Sequence, residues 1–211
     1  MNANLKPNFE KAYVRANDTL VTSSAIATFP FSSKALVEEY NEIRCRSYKR
    51  AREHGVDISN FGSDSSVIFR KENRVVIFYN ETKPQPHVKF SILHEFAHYI
   101  LNHNFSYLEN EAYNIAEVEA NYFAAQVLMP EQLLREFESR GVKINCEFLQ
   151  KAFGVSAQAA SKRIKTLERT SIKRHSISER ESDELILLKF SNFLNSTYPS
   201  HIDDVNFEGY I

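Results

Sequence analysis

Residues 90–103 read FSILHEFAHYILNH. Phe90, Ile92, Leu93, Phe96, Ala97, Ile100 and Leu101 make this stretch apolar on nearly every side, which predicts a buried helix. His94, Glu95 and His98 interrupt that apolar surface. At about 100° per residue, two positions four apart stand only about 40° apart and one turn separated, so both imidazoles point the same way. Burying them with a carboxylate is costly unless something compensates, and a metal ion does so. Zinc accepts nitrogen, sulfur and oxygen ligands in a tetrahedron, and a catalytic site takes three from the protein and leaves the fourth to water. Zinc acidifies that water to near neutrality, and Glu95, beside it, is placed to act as general base. This is the HExxH arrangement of a metalloprotease helix.

A third protein ligand is then required. The extended pattern HExxHxxGxxH is excluded, because positions 101 and 104 hold Leu and Asn. His103 would face about 140° away from His98 on a continuing helix, so only a break would bring it round. Residues 114–130, NIAEVEANYFAAQVLMP, offer a better source. Ala116, Ala120, Phe123, Ala124 and Val127 form a helical stripe whose small residues permit close approach of a neighbouring helix. Glu117 and Asn121 share one face beside that stripe. Glu117 is therefore the expected metal ligand, with Asn121 accepting the ring N–H of a ligating histidine. Glu119 is turned about 160° away from Glu117 and is expected to be an ordinary exposed glutamate.

The remaining chain is that of an ordinary soluble protein, with 43% hydrophobic and 25% charged residues. No apolar run approaches the roughly 20 residues of a membrane span, and the first thirty residues lack secretory-signal character, so a cytoplasmic location is expected. Cys45 and Cys146 lie far apart without a metal or disulfide spacing. Residues 1–30 read as a partly ordered arm. A helix is expected from Ser32 or Ser33 to His54, with Leu36, Tyr40, Ile43, Ser47 and Ala51 inward and Arg44, Arg46, Lys49, Arg50 and Arg52 on a solvated face. Two β-branched and aromatic runs, 66–70 and 74–79, predict a β-hairpin.

Beyond Pro130, Leu133, Leu134 and Phe137 predict a helix ending near Gly141. Residues 144–170 then outline a helix-turn-helix about Gly154, its second helix capped by Ser156 with Ala160, Ile164 and Leu167 inward. Residues 151–175 hold seven Lys or Arg against one Glu. Lys162, Arg163 and Lys165, with Arg169, Lys173 and Arg174 beyond, suit phosphate contact, although the same unit could hold a protein substrate or prop the catalytic region. Leu185, Leu188 and Phe193 predict a packing helix near the C-terminus.

The succession HEFAHYILNH, then EVEANYFAAQVLMP, resembles the ImmA/IrrE family of metallo-endopeptidases over residues 65 to 135. The resemblance implies an α+β fold: a small gluzincin-like core, in which a short sheet or hairpin packs on the HExxH helix and a second ligand helix, followed by a mainly helical helix-turn-helix-like region. The divisions would be an arm at 1–30, a peptidase domain at 31–140, a helix-turn-helix-like domain at 141–175 and a terminal helix and tail at 176–211. It also implies Zn2+ on His94, His98 and Glu117, Glu95 as general base, and a helix-turn-helix repressor of the XRE/Cro type as protein substrate, whose cleavage relieves repression of a mobile element, prophage or stress regulon. Ala97 stands where family members commonly carry Gly, and Lys89 where they commonly carry Arg. Candidates for substrate or oxyanion contact are His103, Tyr122 and Lys89. A different class of reading is a DNA- or protein-binding regulator whose metal site is structural or silent.

Overall fold

The hairpin forms where the alternation of β-branched and aromatic residues ends at a polar turn. β2 (Ser66–Lys71) runs antiparallel to β3 (Arg74–Tyr79), with Ile68 opposite Ile77. A third strand, β1 (Ile43–Ser47), lies parallel to β3 with Ile43 opposite Val75, giving the order β1-β3-β2. These elements come from a computed structural model that describes residues 6–71, 74–103, 110–169 and 177–198. Lys173, Arg174 and the terminal NFEGYI lie outside the described residues.

β1 corrects the long helix expected from Ser32 to His54. A helix does begin there, with the Ser32 hydroxyl accepting the Ala35 N–H, but α2 spans only Ser33–Val37. Leu36, Tyr40 and Ile43 happen to fall at helical spacing, whereas Ile43 and Cys45 are buried and Arg44 and Arg46 exposed, the period-two pattern of a half-buried strand. Glu38 holds the strand's start by accepting the Cys45 N–H. A short α3 (Tyr48–Glu53) follows, capped by Ser47.

The expected arm is likewise corrected. Residues Phe9–Thr22 form α1, with Asn8 as N-cap and Ala12, Tyr13, Ala16 and Leu20 buried. Its buried face also carries Asn17 and Thr19, which hides the helical period from a hydrophobicity count. The Asn17 side chain accepts a hydrogen bond from Gln126, also buried, at 2.9 Å. Satisfied in this way, a buried amide costs little. At the far end, Lys189 Nζ donates to the carbonyls of Leu20 and Ser23 and so closes the C-terminus of α1.

The HExxH stretch lies in α4 (Gln85–Ile100), and the second motif in α5 (Asn110–Leu128). α4 packs on β2 and β3 from one side and against α5 on the other, while α1 packs along α5. Ala97, Ala120 and Ala124 are fully buried, so the α4 and α5 backbones approach closely. The chain continues through α6 (Glu131–Ser139), α7 (Cys146–Phe153), α8 (Ala157–Arg169), α9 (Ile177–Lys189) and α10 (Ser191–Thr197).

In the C-terminal helices Phe193 is buried as expected, but Leu185 and Leu188 are 49% and 71% exposed, and Ile186, Phe190 and Leu194 are buried in their place. The rings of Phe29, Phe153, Phe190 and Phe193 meet within 5.0–5.5 Å. This aromatic cluster, worth more than its area through edge-on contacts, ties the N-terminal segment to α7 and α10 within one continuous core. No described helix is long and apolar enough to cross a membrane.

Candidate metal centre

His94 and His98 project from the same face of α4, as their spacing requires, and Glu117 of α5 meets them. His94 Nε2 lies 3.2 Å and His98 Nε2 3.3 Å from the Glu117 carboxylate oxygens, and the two ring nitrogens are 3.1 Å apart. Donors about 2.0–2.1 Å from a tetrahedral zinc stand roughly 3.3 Å from each other, so this set has the edge lengths the ion needs. Among the described residues these three form the group able to hold a metal ion.

The electrostatics of the trio follow from burial and mutual contact. Burial alone would lower the His94 pKa, but the Glu117 carboxylate bonded to it, with Glu95 and Asn121 adding, moves it above the ordinary histidine value. His98 is more deeply buried, at 2% side-chain exposure, and burial wins over Glu117, pushing its pKa down to about 4. Glu117 itself resists burial: hydrogen bonds and charge from both histidines hold its carboxyl well below the usual range. Such a set prefers one negative oxygen facing two nitrogens, the combination of a divalent-cation site.

Glu95 follows His94 along α4 and is directed toward the edge strand. The Ser66 hydroxyl donates to its Oε1 at 2.9 Å, and the nearby Ile68 backbone amide also favours the charged carboxylate. Burial nevertheless raises its pKa, because the desolvation of a carboxylate here outweighs these contacts and the nearby His94. Asn121 lies near His94 and adds slightly to the rise of its pKa. Residues of this kind that sequence reasoning missed are Ser66 and Tyr113. Tyr113 stands one turn before Glu117 on α5, close enough to feel its charge, and at 46% exposure it borders the open side of the trio. The spacing Tyr113–Glu117 was the available signal.

Of the three candidates for substrate or oxyanion contact, two lie away from the trio and one lies behind it. Lys89 reaches toward the Gly154 carbonyl at the α7–α8 turn, 3.4 Å away, which takes it off the trio's face. Tyr122 is buried with its ring 5.2 Å from that of Phe9, in the contact between α1 and α5. His103 does come near, but behind the His98 ring: Nδ1 to Nδ1 is 2.8 Å, on the side opposite Glu117. Glu119, expected at the surface, is 8% exposed and bonded to His103.

In the helix-turn-helix outline, Gly154 adopts φ 63° at the end of α7, a left-handed conformation that glycine accepts without cost. Arg163, expected on the outer basic face, is 1% exposed. Its Nε donates to the Met129 carbonyl at 3.1 Å and its Nη2 to Gln126 Oε1. It fastens α8 to the α5–α6 corner, whereas Lys162 and Lys165 are exposed.

The family model Peptidase_M78, described as IrrE N-terminal-like domain, matches residues 51–165, more than half of the chain. The matched span contains the sheet's hairpin, α4 with the two histidines, and α5 with Glu117. A comparison with curated proteins finds no match.

Proposed function

The chain belongs to the IrrE N-terminal-like peptidase family, and on that premise we propose that it is a zinc-dependent endopeptidase acting on a protein substrate. The observation that carries the reading is the spacing of three donor atoms, 3.1–3.3 Å apart, on two helices of a buried pair. His94, His98 and Glu117 would hold the ion. When bound, zinc supplies Lewis acidity, polarising a peptide carbonyl and acidifying the water beside it.

The chain's own residues supply the rest. Glu95 takes the proton of the attacking water at a carboxylate oxygen and returns it to the departing amine nitrogen. Ser66 holds that carboxylate in place, so its orientation is set before substrate arrives. Asn121 lies near His94. The helix-turn-helix repressor as substrate rests on the family resemblance, and α7–α8 is the region to present or contact it.

Glu95→Gln tests the assignment: the variant retains one equivalent of zinc and loses cleavage of a helix-turn-helix repressor. Undiminished hydrolysis would remove Glu95 as base, and a wild-type protein that takes up no zinc would remove the whole reading. The exposed pair Lys162 and Lys165 favours a second role, contact of α8 with nucleic-acid phosphates. A gel shift that weakens steeply with salt, and disappears in Lys162→Glu/Lys165→Glu, is the outcome that role requires.

A further inference from the structure

α4 ends at Ile100, and the chain reverses through Asn102 at φ 56°. Beside that reversal lies a cleft of about 520 Å³, lined by none of the metal-centre residues. Its volume falls within the roughly 300–1,000 Å³ of small-molecule sites. One wall is a stripe of α1, where Arg15, Asp18, Thr19 and Thr22 recur at spacings of three and four. The other wall is formed by Arg70 of β2 with Tyr40 and Tyr99, whose rings meet edge-on at 6.2 Å.

Arg70 is held in place from two sides. Its Nη2 donates to the His98 carbonyl at 2.7 Å, and its guanidinium carbon lies 5.6 Å from the centre of the Tyr99 ring. The Tyr99 hydroxyl is itself fixed on Glu42. Nε and Nη1 of Arg70 have no partner among the described residues. On the α1 wall, Arg15 makes a loose pair with Asp18, 3.9 Å apart, and both side chains are more than half exposed.

Two guanidinium groups bordering one cleft suit an oxyanion, because each fork donates in pairs to neighbouring oxygens. A phosphomonoester offers three such oxygens, enough to be shared between two walls. A guanidinium stacked on one ring also presents its second face to another flat ring. Asp18 opposes an anion, but the lining sets two arginines against that one carboxylate.

We infer that this cleft binds a small phosphomonoester carrying a flat ring, a molecule of mononucleotide size, gripped between Arg15 and Arg70. Arg70 also touches the backbone of His98, which links the cleft to the metal centre. An anion on Nε and Nη1 leaves the Nη2 bond in place and stiffens it. Zinc then binds more tightly, by the same factor by which zinc tightens the anion. Binding in the cleft is independent of the zinc reading above; the effect on zinc rests on it.

The test is calorimetric titration of adenosine monophosphate into the metal-free full chain. One equivalent should bind, with adenosine and inorganic phosphate each weaker by about tenfold or more. Arg15→Gln and Arg70→Gln should each lower the affinity about tenfold, and Asp18→Asn, which removes the opposing charge, should raise it. Failure of adenosine monophosphate to bind overturns the inference, as does binding that ignores both arginine variants. Adenosine or phosphate binding as tightly as the nucleotide overturns the ligand class. If Arg70→Gln loses its fold by circular dichroism, Arg15→Gln and Asp18→Asn decide, since both positions lie at the surface.

Zinc affinity, read by competition with a chromogenic chelator, should rise about fivefold with saturating nucleotide and stay unchanged by it in Arg15→Gln. Equal zinc affinity with and without nucleotide in the wild type overturns the link to the metal centre. A chain that takes up no zinc would sink the proposed function, while the calorimetry still decides the cleft.

Discussion

The α4–α5 pair and the α7–α8 pair both place charged side chains in buried helix faces, and the charges do opposite work. In α4–α5, His94, His98 and Glu117 converge on a common point, each offering a donor atom to the same small volume. In α8, Arg163 is buried more deeply than His94 or Glu117, but its guanidinium ends on the Met129 carbonyl and the Gln126 side chain, where it is consumed as a structural tie. A buried charge thus marks chemistry when several like-purposed donors face one another. It marks architecture when it terminates on backbone acceptors of a neighbouring element.

The sharpest way to break this comparison is to remove the base and keep the donors. Glu95→Gln should lower the cleavage rate by about 10²- to 10⁴-fold, the usual worth of a general base, while zinc stoichiometry measured by atomic emission stays at wild type. Zinc itself should stabilise the fold: at a thousandfold excess over its Kd the gain is about 4 kcal/mol, seen as a rise in Tm. A chelator should reverse it, and His94→Ala should abolish it.

On the other side of the comparison, Arg163→Met keeps volume but removes both guanidinium bonds and orphans the Met129 carbonyl. It should cost about 3 kcal/mol in urea unfolding with the slope unchanged, and should leave zinc affinity within twofold. If Arg163→Met instead weakened zinc as much as a ligand change, the division between the two regions would fail. The smallest effect belongs to Lys162→Glu/Lys165→Glu, which should move stability by no more than about 0.5 kcal/mol, since both side chains lie in solvent.

How much could be read in advance differs by residue. His94, Glu95 and His98 were legible because one helix fixes their relative directions, and burial of the surrounding apolar residues followed from composition of the same stretch. Glu117 was legible by its place beside the alanine stripe. Glu119 was misread: a helical wheel correctly turned it away from Glu117, but the wheel does not say that α1 and the reversed end of α4 wrap round to meet it on that side.

α1 was missed because Asn17 and Thr19 occupy buried positions, and only Gln126, more than a hundred residues later, makes Asn17 acceptable there. The stretch from 32 to 54 was misread because three apolar residues at helical spacing outweighed the shorter alternation about Cys45. Arg163 looked like part of a basic face since its neighbours Lys162 and Lys165 are. Only the approach of the α5–α6 corner, with its free carbonyl, distinguishes it.

By itself the sequence determined what is local: the helix carrying two histidines one turn apart, the hairpin, the small-residue contact face of α5 and the caps at Ser32 and Gly154. These depend on spacing along one chain segment, where backbone geometry leaves little choice. Tertiary structure alone decided that β1 joins β3, that α1 closes the core, that Arg163 is inside, and that His103 and Glu119 stand behind His98. Each of those depends on a partner distant in the chain, and the free energy of a buried polar group is set by whichever partner arrives to satisfy it.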